Sequence, residues 1–192
     1  MGALPKQKWT AAQFLDWARH RSGRFELERG EVVEMAAEQA KHALMKHAAA
    51  RALEKGIEAA ALDCVVFPDG MTVVIDEKNV RLPDAAVQCS PVDPDSITLD
   101  DPVILVEVIS PSSVNRDENY KLIEYFSVPS VVHYLLLSPD QRLVVHFKRG
   151  AETGRIDTAI KSEGIIDLTP PGFSVSVPDL LGVAASGTTR SM

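Results

Sequence analysis

The stretch PVILVEVISPSS, residues 102–113, places a carboxylate inside a run of aliphatic residues. Four strand-forming residues, 103–106, precede Glu107, and two more, 108–109, follow it. Because odd and even positions are both apolar, the run predicts a strand that is covered on both faces and lies at the centre of a sheet. A buried, ionised carboxylate costs several kcal/mol unless it has a partner. Glu107 therefore pairs with a buried Arg or Lys, lies at the strand's exposed carboxyl end, or binds a metal ion.

The segments on either side of this strand predict a mixed α/β sheet with helices on its faces. Apolar residues at helical spacing, at alternate positions or in short runs between turn signals define the elements. In chain order they are a helix that opens with a Thr10/Gln13 capping box, a β-hairpin that turns near Arg29-Gly30, a long helix over about 38–61, several short strands, a helix over about 116–126, and two strands joined at Pro139-Asp140.

The chain has 192 residues, of which 45% are hydrophobic and 24% charged, as in an ordinary globular protein. This length predicts one domain over 1–192, with a core at about 10–148, strands within 155–182 and a frayed tail at 183–192. No apolar run approaches the ~20 residues that span a bilayer, and the N-terminus lacks a signal-peptide pattern. We therefore expect a cytoplasmic protein with no membrane segment.

Two further features of the composition bear on function. Cys64 and Cys89 lie in apolar runs and form no CxxC pair, which predicts buried, reduced thiols. The formal net charge of −7 argues against a generic nucleic-acid coat, because such proteins are usually basic. It does not exclude an enzyme whose acidic residues hold metal ions that then meet phosphates.

A second carboxylate stands in an unusual place. In VRLPDAAVQC, Asp84 directly follows Pro83 inside an apolar strand. Proline favours a strand start or an edge, and it would let the chain bend so that Asp84 points toward the end of a neighbouring strand. Two buried acids on adjacent strands repel unless a divalent cation lies between them. Carboxylates with several waters are the ligands that Mg²⁺ prefers.

A lysine completes the candidate set. Lys121 lies one or two turns into the helix that follows Glu107, and its side chain could return to the end of that strand. Beside two acids and a metal, a lysine can stabilise developing negative charge or orient an attacking water. The alternative is an ordinary surface lysine with Glu118 and Glu124 as neighbours.

The order of these motifs resembles the Uma2 (DUF820) branch of the PD-(D/E)XK nuclease superfamily. The resemblance covers about residues 10–148 and is carried by RFELERGEVVEM, a helix bearing His42, LPDAAV, ILVEVISPSS and NRDENYKLIEYFSVPSVVHYLLLSPDQRLVVHF. It implies a restriction-endonuclease-like fold and Mg²⁺-dependent phosphodiester cleavage, with Asp84 and Glu107 as metal ligands. The superfamily's usual lysine would fall at Ile109, and the resemblance implies that Lys121 replaces it.

Several other residues are candidates for supporting roles. His42 is expected on the sheet-facing side of the long helix, near the acids, as a site residue or as a hydrogen-bonded core histidine. The resemblance suggests that Glu31 approaches the metal, with Glu26 and Glu34 as competitors. Three sets are given structural or solvent-exposed interpretations instead: Ser110 and Ser112 as helix caps, the stripe His47, Arg51 and Lys55 as a solvated face, and Trp9, Trp17, Tyr120 and Tyr125 as packing residues.

The function predicted from these residues is a Mg²⁺-dependent DNA endonuclease, with Mn²⁺ as a substitute ion. Asp84 and Glu107 would hold the ion, and Lys121 would position the attacking water or stabilise the transition state. Cutting both strands needs two sites, so a homodimer is expected. Two alternatives remain open: a binding or scaffold protein with a retired site, and a metal-dependent hydrolase of small phosphate esters.

Overall fold

The computed structural model describes residues 7–109 and 117–183, which form four helices and three sheets. The helices are α1 (Ala11–Ala18), α2 (Ala40–Ala59), α3 (Asp117–Ser127) and α4 (Val177–Leu180). The strands are β1 (Phe25–Glu28), β2 (Glu31–Glu34), β3 (Val65–Phe67), β4 (Val73–Asp76), β5 (Asn79–Arg81), β6 (Ala85–Gln88), β7 (Pro102–Val108), β8 (His133–Ser138), β9 (Leu143–Arg149), β10 (Ile156–Lys161), β11 (Ile165–Leu168) and β12 (Phe173–Ser176). Ser110, Ser112 and all of the expected tail except Val183 lie outside the described residues.

The largest sheet has six strands in the order β10-β9-β8-β7-β6-β3. The strand that carries Glu107, β7, lies inside this sheet, as the sequence predicts. Its pairing with β6 is antiparallel and its pairing with β8 is parallel, so the sheet is mixed. Parallel neighbours need a crossover connection, and α3 lies in the connection between β7 and β8. The predicted α/β class with a mixed sheet is confirmed.

The two faces of β7 belong to two different hydrophobic cores. Ile104, Val106 and Val108 pack with Met45, Ala49 and Leu53 of α2 in one core. Leu105 points the other way and packs with Tyr125 and Phe126 of α3 in the second core. Since side chains alternate along a strand, Glu107 lies on the α3 face.

A smaller sheet of four strands, in the order β2-β1-β5-β4, packs against α1. The capping box predicted for α1 is present, with Thr10 and Gln13 bonded to each other's backbone N–H groups. The hairpin of β1 and β2 turns at Arg29 and Gly30, whose φ angles of 50° and 83° are both positive. Such a turn matches the twist of the two strands. Strand β1 is an inner strand because it also pairs with β5 on its other side.

The chain passes from the small sheet to the large one at Pro83. The predicted continuous strand in NVRLPDAAVQC is divided, because β5 ends at Arg81 in the small sheet and β6 begins at Ala85 in the large one. The proline has no N–H to give to either sheet, so it suits a position between them. Asp84 is therefore the last residue before β6, where the two sheets meet.

The two cysteines form a disulfide, so the prediction of reduced thiols is wrong. Strands β3 and β6 are antiparallel with Val65 opposite Gln88, which brings Cys64 opposite Cys89 with 4.0 Å between their Cα atoms. The two cysteines are 25 residues apart in the chain. Their proximity depends on the register between β3 and β6, which a search for a CxxC motif does not test.

Removing the disulfide should lower stability. Reduction, or the double substitution Cys64→Ser and Cys89→Ser, should reduce the free energy of unfolding by about 3 kcal/mol, because the bond closes a loop of this length in the unfolded chain. Urea unfolding with and without reductant measures the difference. Equal stability in both conditions, together with two alkylatable thiols in the native protein, would contradict the disulfide.

Candidate active site

Asp84 is held where the two sheets meet. Its N–H donates to the Val106 carbonyl at 2.9 Å, and its Oδ2 accepts from the Val108 N–H at 2.7 Å, so backbone bonds on both sides fix it against β7. Its side chain is only 3% exposed. The other oxygen, Oδ1, lies 3.0 Å from Lys46 Nζ and 3.4 Å from Arg24 Nη2.

Glu107 occupies the α3 face of β7 and meets two donors from that helix. Its Oε1 accepts from the Tyr125 hydroxyl at 2.6 Å and from Lys121 Nζ at 3.0 Å. Burial, together with the carboxylates of Asp84 and Glu26, raises the pKa of Glu107 to about 7 against the opposing charge of Lys121. The central strand therefore carries a carboxylate that is costly to ionise.

Lys121 reaches Glu107 from α3 and lies between two acids. Its Nζ is 3.0 Å from Glu107 Oε1 and 3.2 Å from Glu26 Oε1. Although burial disfavours its charge, these two carboxylates hold the pKa of Lys121 above its ordinary value. The surface-lysine alternative is wrong, since the side chain is only 14% exposed.

Glu26, rather than Glu31, is the acid that the hairpin contributes. Glu26 is buried and accepts from the Leu82 N–H at 3.1 Å as well as from Lys121 and Arg81. Although burial acts to raise it, Lys121 and Arg81 keep the pKa of Glu26 below its usual range. Glu31 is exposed, opposite Glu28 at the turn end of the hairpin, and does not line the cavity; Glu34 lines its rim.

Arg81 ties α3 to the small sheet. Its guanidinium donates to Glu26 at 2.9 Å, to Glu28 at 2.6 Å and twice to Glu124, at 2.7 and 3.1 Å. Although burial acts to lower it, the carboxylates of Glu124 and Glu26 raise the pKa of Arg81. Because Glu124 is three residues after Lys121, this fork anchors the same face of α3 that presents the lysine. Sequence inspection missed Arg81, although an arginine two residues before a strand-internal proline was a signal.

His42 lies on the sheet-facing side of α2, as predicted. Its Nε2 lies 2.5 Å from the Val108 carbonyl and 3.7 Å from Asp84 Oδ2. Its Nδ1 is 3.6 Å from Oε2 of Glu38, a residue just before α2. Glu38 was not among the sequence candidates, because it stands in a segment with no strand or helix pattern.

These groups line one cavity of about 450 Å³ between α2, the hairpin and the end of β7. Asp84, Glu107 and Lys121 are brought together there, with Glu26 and His42 beside them. The arrangement fits a divalent cation, because Glu26, Asp84 and Glu107 are three buried carboxylates around one cavity, and burial together with the two neighbouring acids raises the pKa of Glu107. Asp84 and Glu107 supply the oxygen ligands that such an ion prefers.

Except for Tyr120, which was expected to pack but is exposed, the described residues that were given structural interpretations occupy the expected positions. His47, Arg51 and Lys55 are exposed on α2. Trp9 and Trp17 pack edge to face around α1, and Tyr120 is exposed with the Arg29 guanidinium over its ring. Tyr125 packs in the core as expected but has a second role, because its buried hydroxyl bonds Glu107 and so belongs to the site as well.

Comparison with known proteins identifies the lineage of this site. The sequence profile of Uma2, described as "Putative restriction endonuclease", matches residues 11–178. The chain belongs to the Uma2 family. The match extends beyond residue 148, where the resemblance seen in the motifs ends, and takes in β10, β11 and β12. The family match therefore covers nearly all of the described residues. The description of the family names a nuclease-type function.

A solved structure has the same fold. The protein from Anabaena variabilis ATCC 29413, described as "a putative nuclease belonging to DUF820", aligns with a TM-score of 0.66 over 88% of this chain and 97% of its own. At 14% identity this likeness shows the fold, and it confirms the predicted restriction-endonuclease-like class. No curated protein matches the sequence. Within the described part of the chain, none of the helices is long and apolar enough for a bilayer crossing.

The raised pKa of Glu107 predicts how stability depends on pH in the metal-free protein. Between pH 4.5 and about 7 the folded state keeps a proton that the unfolded state releases, so this group's contribution to stability falls as pH rises. Relative to wild type, Glu107→Gln should therefore gain about 1–3 kcal/mol of unfolding free energy over this interval. Urea unfolding at several pH values tests this, with the exposed Glu54→Gln as control; parallel profiles for Glu107→Gln and wild type would contradict it.

The fork of Arg81 should be far more important for stability than a surface ion pair. Arg81→Ala should cost about 3–5 kcal/mol, because it leaves Glu124 without its cation and the buried Glu26 with Lys121 alone. The matched control is Arg155→Ala, which removes an exposed pair with Asp157 and should change stability by less than about 0.5 kcal/mol. Urea unfolding at one pH compares the two variants, and similar losses would show that Arg81 is not an anchor.

Proposed function

We propose that this protein is a divalent-metal-dependent DNA endonuclease. The observation that carries the proposal is the convergence of Asp84, Glu107 and Lys121 in one cavity, from three different elements. Membership of the Uma2 family supports it, since restriction-endonuclease-like families typically use divalent metals. The proposed active unit is one domain over residues 1–192, working in the cytoplasm.

In the proposed mechanism Asp84 and Glu107 would hold the metal ion. That ion would be Mg²⁺, with Mn²⁺ as a substitute. When bound, such an ion would lower the pKa of a coordinated water and offset negative charge on a scissile phosphate. Asp84 is well suited to a fixed role, because its Oδ2 is already bonded to the Val108 N–H and only Oδ1 faces the two neighbouring cations. Tyr125 restricts Glu107 in the same way through its hydroxyl.

Lys121 would act on the reacting phosphate from the α3 side. Its raised pKa means that it keeps its charge at neutral pH, so it would serve as an electrostatic donor and not as a base. Glu26 would hold the ammonium in place, since it lies 3.2 Å from it and is itself fixed by Arg81 and the Leu82 N–H.

A homodimer is part of the proposal, because two sites would be needed to cut both strands. The net charge of −7 weighs against tight DNA binding and favours the two alternatives, a retired scaffold or a hydrolase of small phosphate esters. The positive side chains nearest the cavity, Arg24, Lys41 and Lys121, each pair with acids in the structure, so a phosphate would have to compete for them.

Plasmid nicking with Mg²⁺ or Mn²⁺ tests the proposal. Asp84→Asn, Glu107→Gln and Lys121→Met should each lower the nicking rate by more than about 100-fold, because each removes a metal ligand or a charge at the reacting phosphate. The matched pair Glu26→Gln and Glu31→Gln tests which hairpin acid matters; the first should lower the rate and the second should leave it unchanged.

Three outcomes would count against the endonuclease. Wild-type nicking by Glu107→Gln would remove the ion site from the mechanism. Cleavage of a nucleotide ester without cleavage of plasmid, in a competition between the two, would favour the small-ester hydrolase. Binding of duplex DNA with no cleavage under either metal would favour the scaffold.

A further inference from the structure

The large sheet ends in a strand whose outer edge is open. Strand β10 pairs with β9 on one side, and within residues 7–109 and 117–183 no strand pairs with its other side. It has six residues, without proline and without a shift in its register against β9, whereas the strand at the opposite edge, β3, has only three. A regular exposed edge of this length is a template for pairing with a further strand.

The direction of the backbone groups on this edge follows from the ladder with β9. The Gly150 N–H donates to the Arg155 carbonyl at 2.9 Å, so the backbone groups of Arg155 face β9. Because these groups alternate in direction along a strand, those of the next even-numbered residues, Ile156, Thr158 and Ile160, point away from β9. The outer edge therefore offers the N–H and C=O groups of these three residues to a partner.

The side chains of β10 form two rows of different character. The even-numbered row lies on the α3 face, where Ile156 packs against the second core and Ile160 is 68% exposed. The odd-numbered row lies on the other face and, with the residues that flank the strand, alternates in charge about a central alanine: Arg155, Asp157, Ala159, Lys161 and Glu163. Read from one end this row is plus, minus, neutral, plus, minus, so its reverse is the complementary pattern.

A second copy of β10 in antiparallel orientation presents this row in reverse. The outward backbone groups bond only when even-numbered residues face each other, which limits the registers to steps of two residues. When Ala159 lies opposite itself, Arg155 meets Glu163 of the second copy, and Asp157 meets Lys161. A shift of two residues in one direction brings Arg155 opposite Lys161, and a shift in the other direction brings Asp157 opposite Glu163. Both shifted registers oppose like charges, which destabilises cross-strand pairs.

We propose that two copies of this chain associate through β10, antiparallel and with the two-fold axis at Ala159, to form one continuous sheet. Thr158 of each copy would exchange both backbone hydrogen bonds with Ile160 of the other, and the exposed Ile160 side chain would pack on Thr158. The charged pairs lie at the rim, where they select the register more than they add affinity. The interface gives a surface to the homodimer of the proposed function, but the argument for it does not use nuclease activity.

This dimer keeps the two candidate active sites apart. Strand β7 lies three strands inward from β10, so the two copies of β7 would be separated by seven strand spacings, about 34 Å. None of the described residues that line the cavity belongs to β10. Each site would therefore be complete within one copy, and separation of the copies should leave the nicking rate per copy unchanged.

Charge reversal, measured by sedimentation velocity over a concentration series, tests the register. Asp157→Lys and Lys161→Asp should each weaken self-association by at least about tenfold, because like charges then face each other at both ends of the interface. When the two variants are mixed they should form a heterodimer, since opposite charges face each other again, and native mass spectrometry with one variant ¹⁵N-labelled identifies it. The matched control is Glu54→Lys, the same change of charge at an exposed position on α2, which should leave association unchanged.

A proline substitution tests the backbone contacts separately from the charges. The Thr158 N–H points outward, so Thr158→Pro removes a donor to the second copy and leaves the ladder with β9 intact. It should weaken association by at least about tenfold, while its circular dichroism spectrum stays that of wild type.

The outcomes separate this interface from the proposed function. A wild type that stays monomeric at every concentration would overturn the interface, and the charges of β10 would then protect an exposed edge. A dimer that ignores both charge reversals, or two variants that fail to combine, would also overturn it, because another surface or register would then hold the copies. Plasmid nicking that persists in either case would leave the nuclease proposal intact. A dimer that follows the charge rules in a protein that never nicks DNA would support the interface and refute the nuclease.

Discussion

The structure depends on keeping carboxylates buried between two sheets. A strand covered on both faces normally excludes charge, yet β7 carries Glu107, and its Val108 N–H donates to the buried carboxylate of Asp84. Each buried acid must be met by cations or donors that come from elsewhere in the chain. The hairpin, α2 and α3 supply them, so these elements are held around the end of β7 by charge as well as by packing.

The cations fall into two groups, one on each side of β7. Arg81 and Lys121 balance Glu26, Glu107 and Glu124 on the α3 side. Arg24 and Lys46 balance Glu38, Asp69 and Asp84 on the α2 side. Separating a buried ion pair destabilises the fold, because it leaves a charge without a partner. Each group therefore restricts the movement of the elements that contribute to it. The cavity lies between the groups, so a ligand that enters it meets acids whose positions are already fixed.

Much of this arrangement follows from local patterns. The run that is apolar at odd and even positions predicted the inner strand β7 and the buried carboxylate within it. Pro83 predicted the bend that turns Asp84 toward the end of β7. Glu26 could not be ranked above Glu31 in this way, because β1 becomes covered on both faces only when the small sheet packs beside α3. The disulfide was missed for a related reason: it depends on the pairing of β3 with β6, and no local pattern reports the register of strands that are distant in the chain.

The position of Lys121 makes the site depend on tertiary packing. A lysine two residues after Glu107 would be tied to it by the strand's own geometry, but that position is Ile109. Here the distance from ammonium to carboxylate depends on how α3 sits against the sheets, since Lys121, Glu124 and Tyr125 all bond outward from that helix. A small shift of α3 against the sheets would therefore move the lysine while both acids stayed in place, so the geometry of this site is set by helix packing rather than by the pairing of strands.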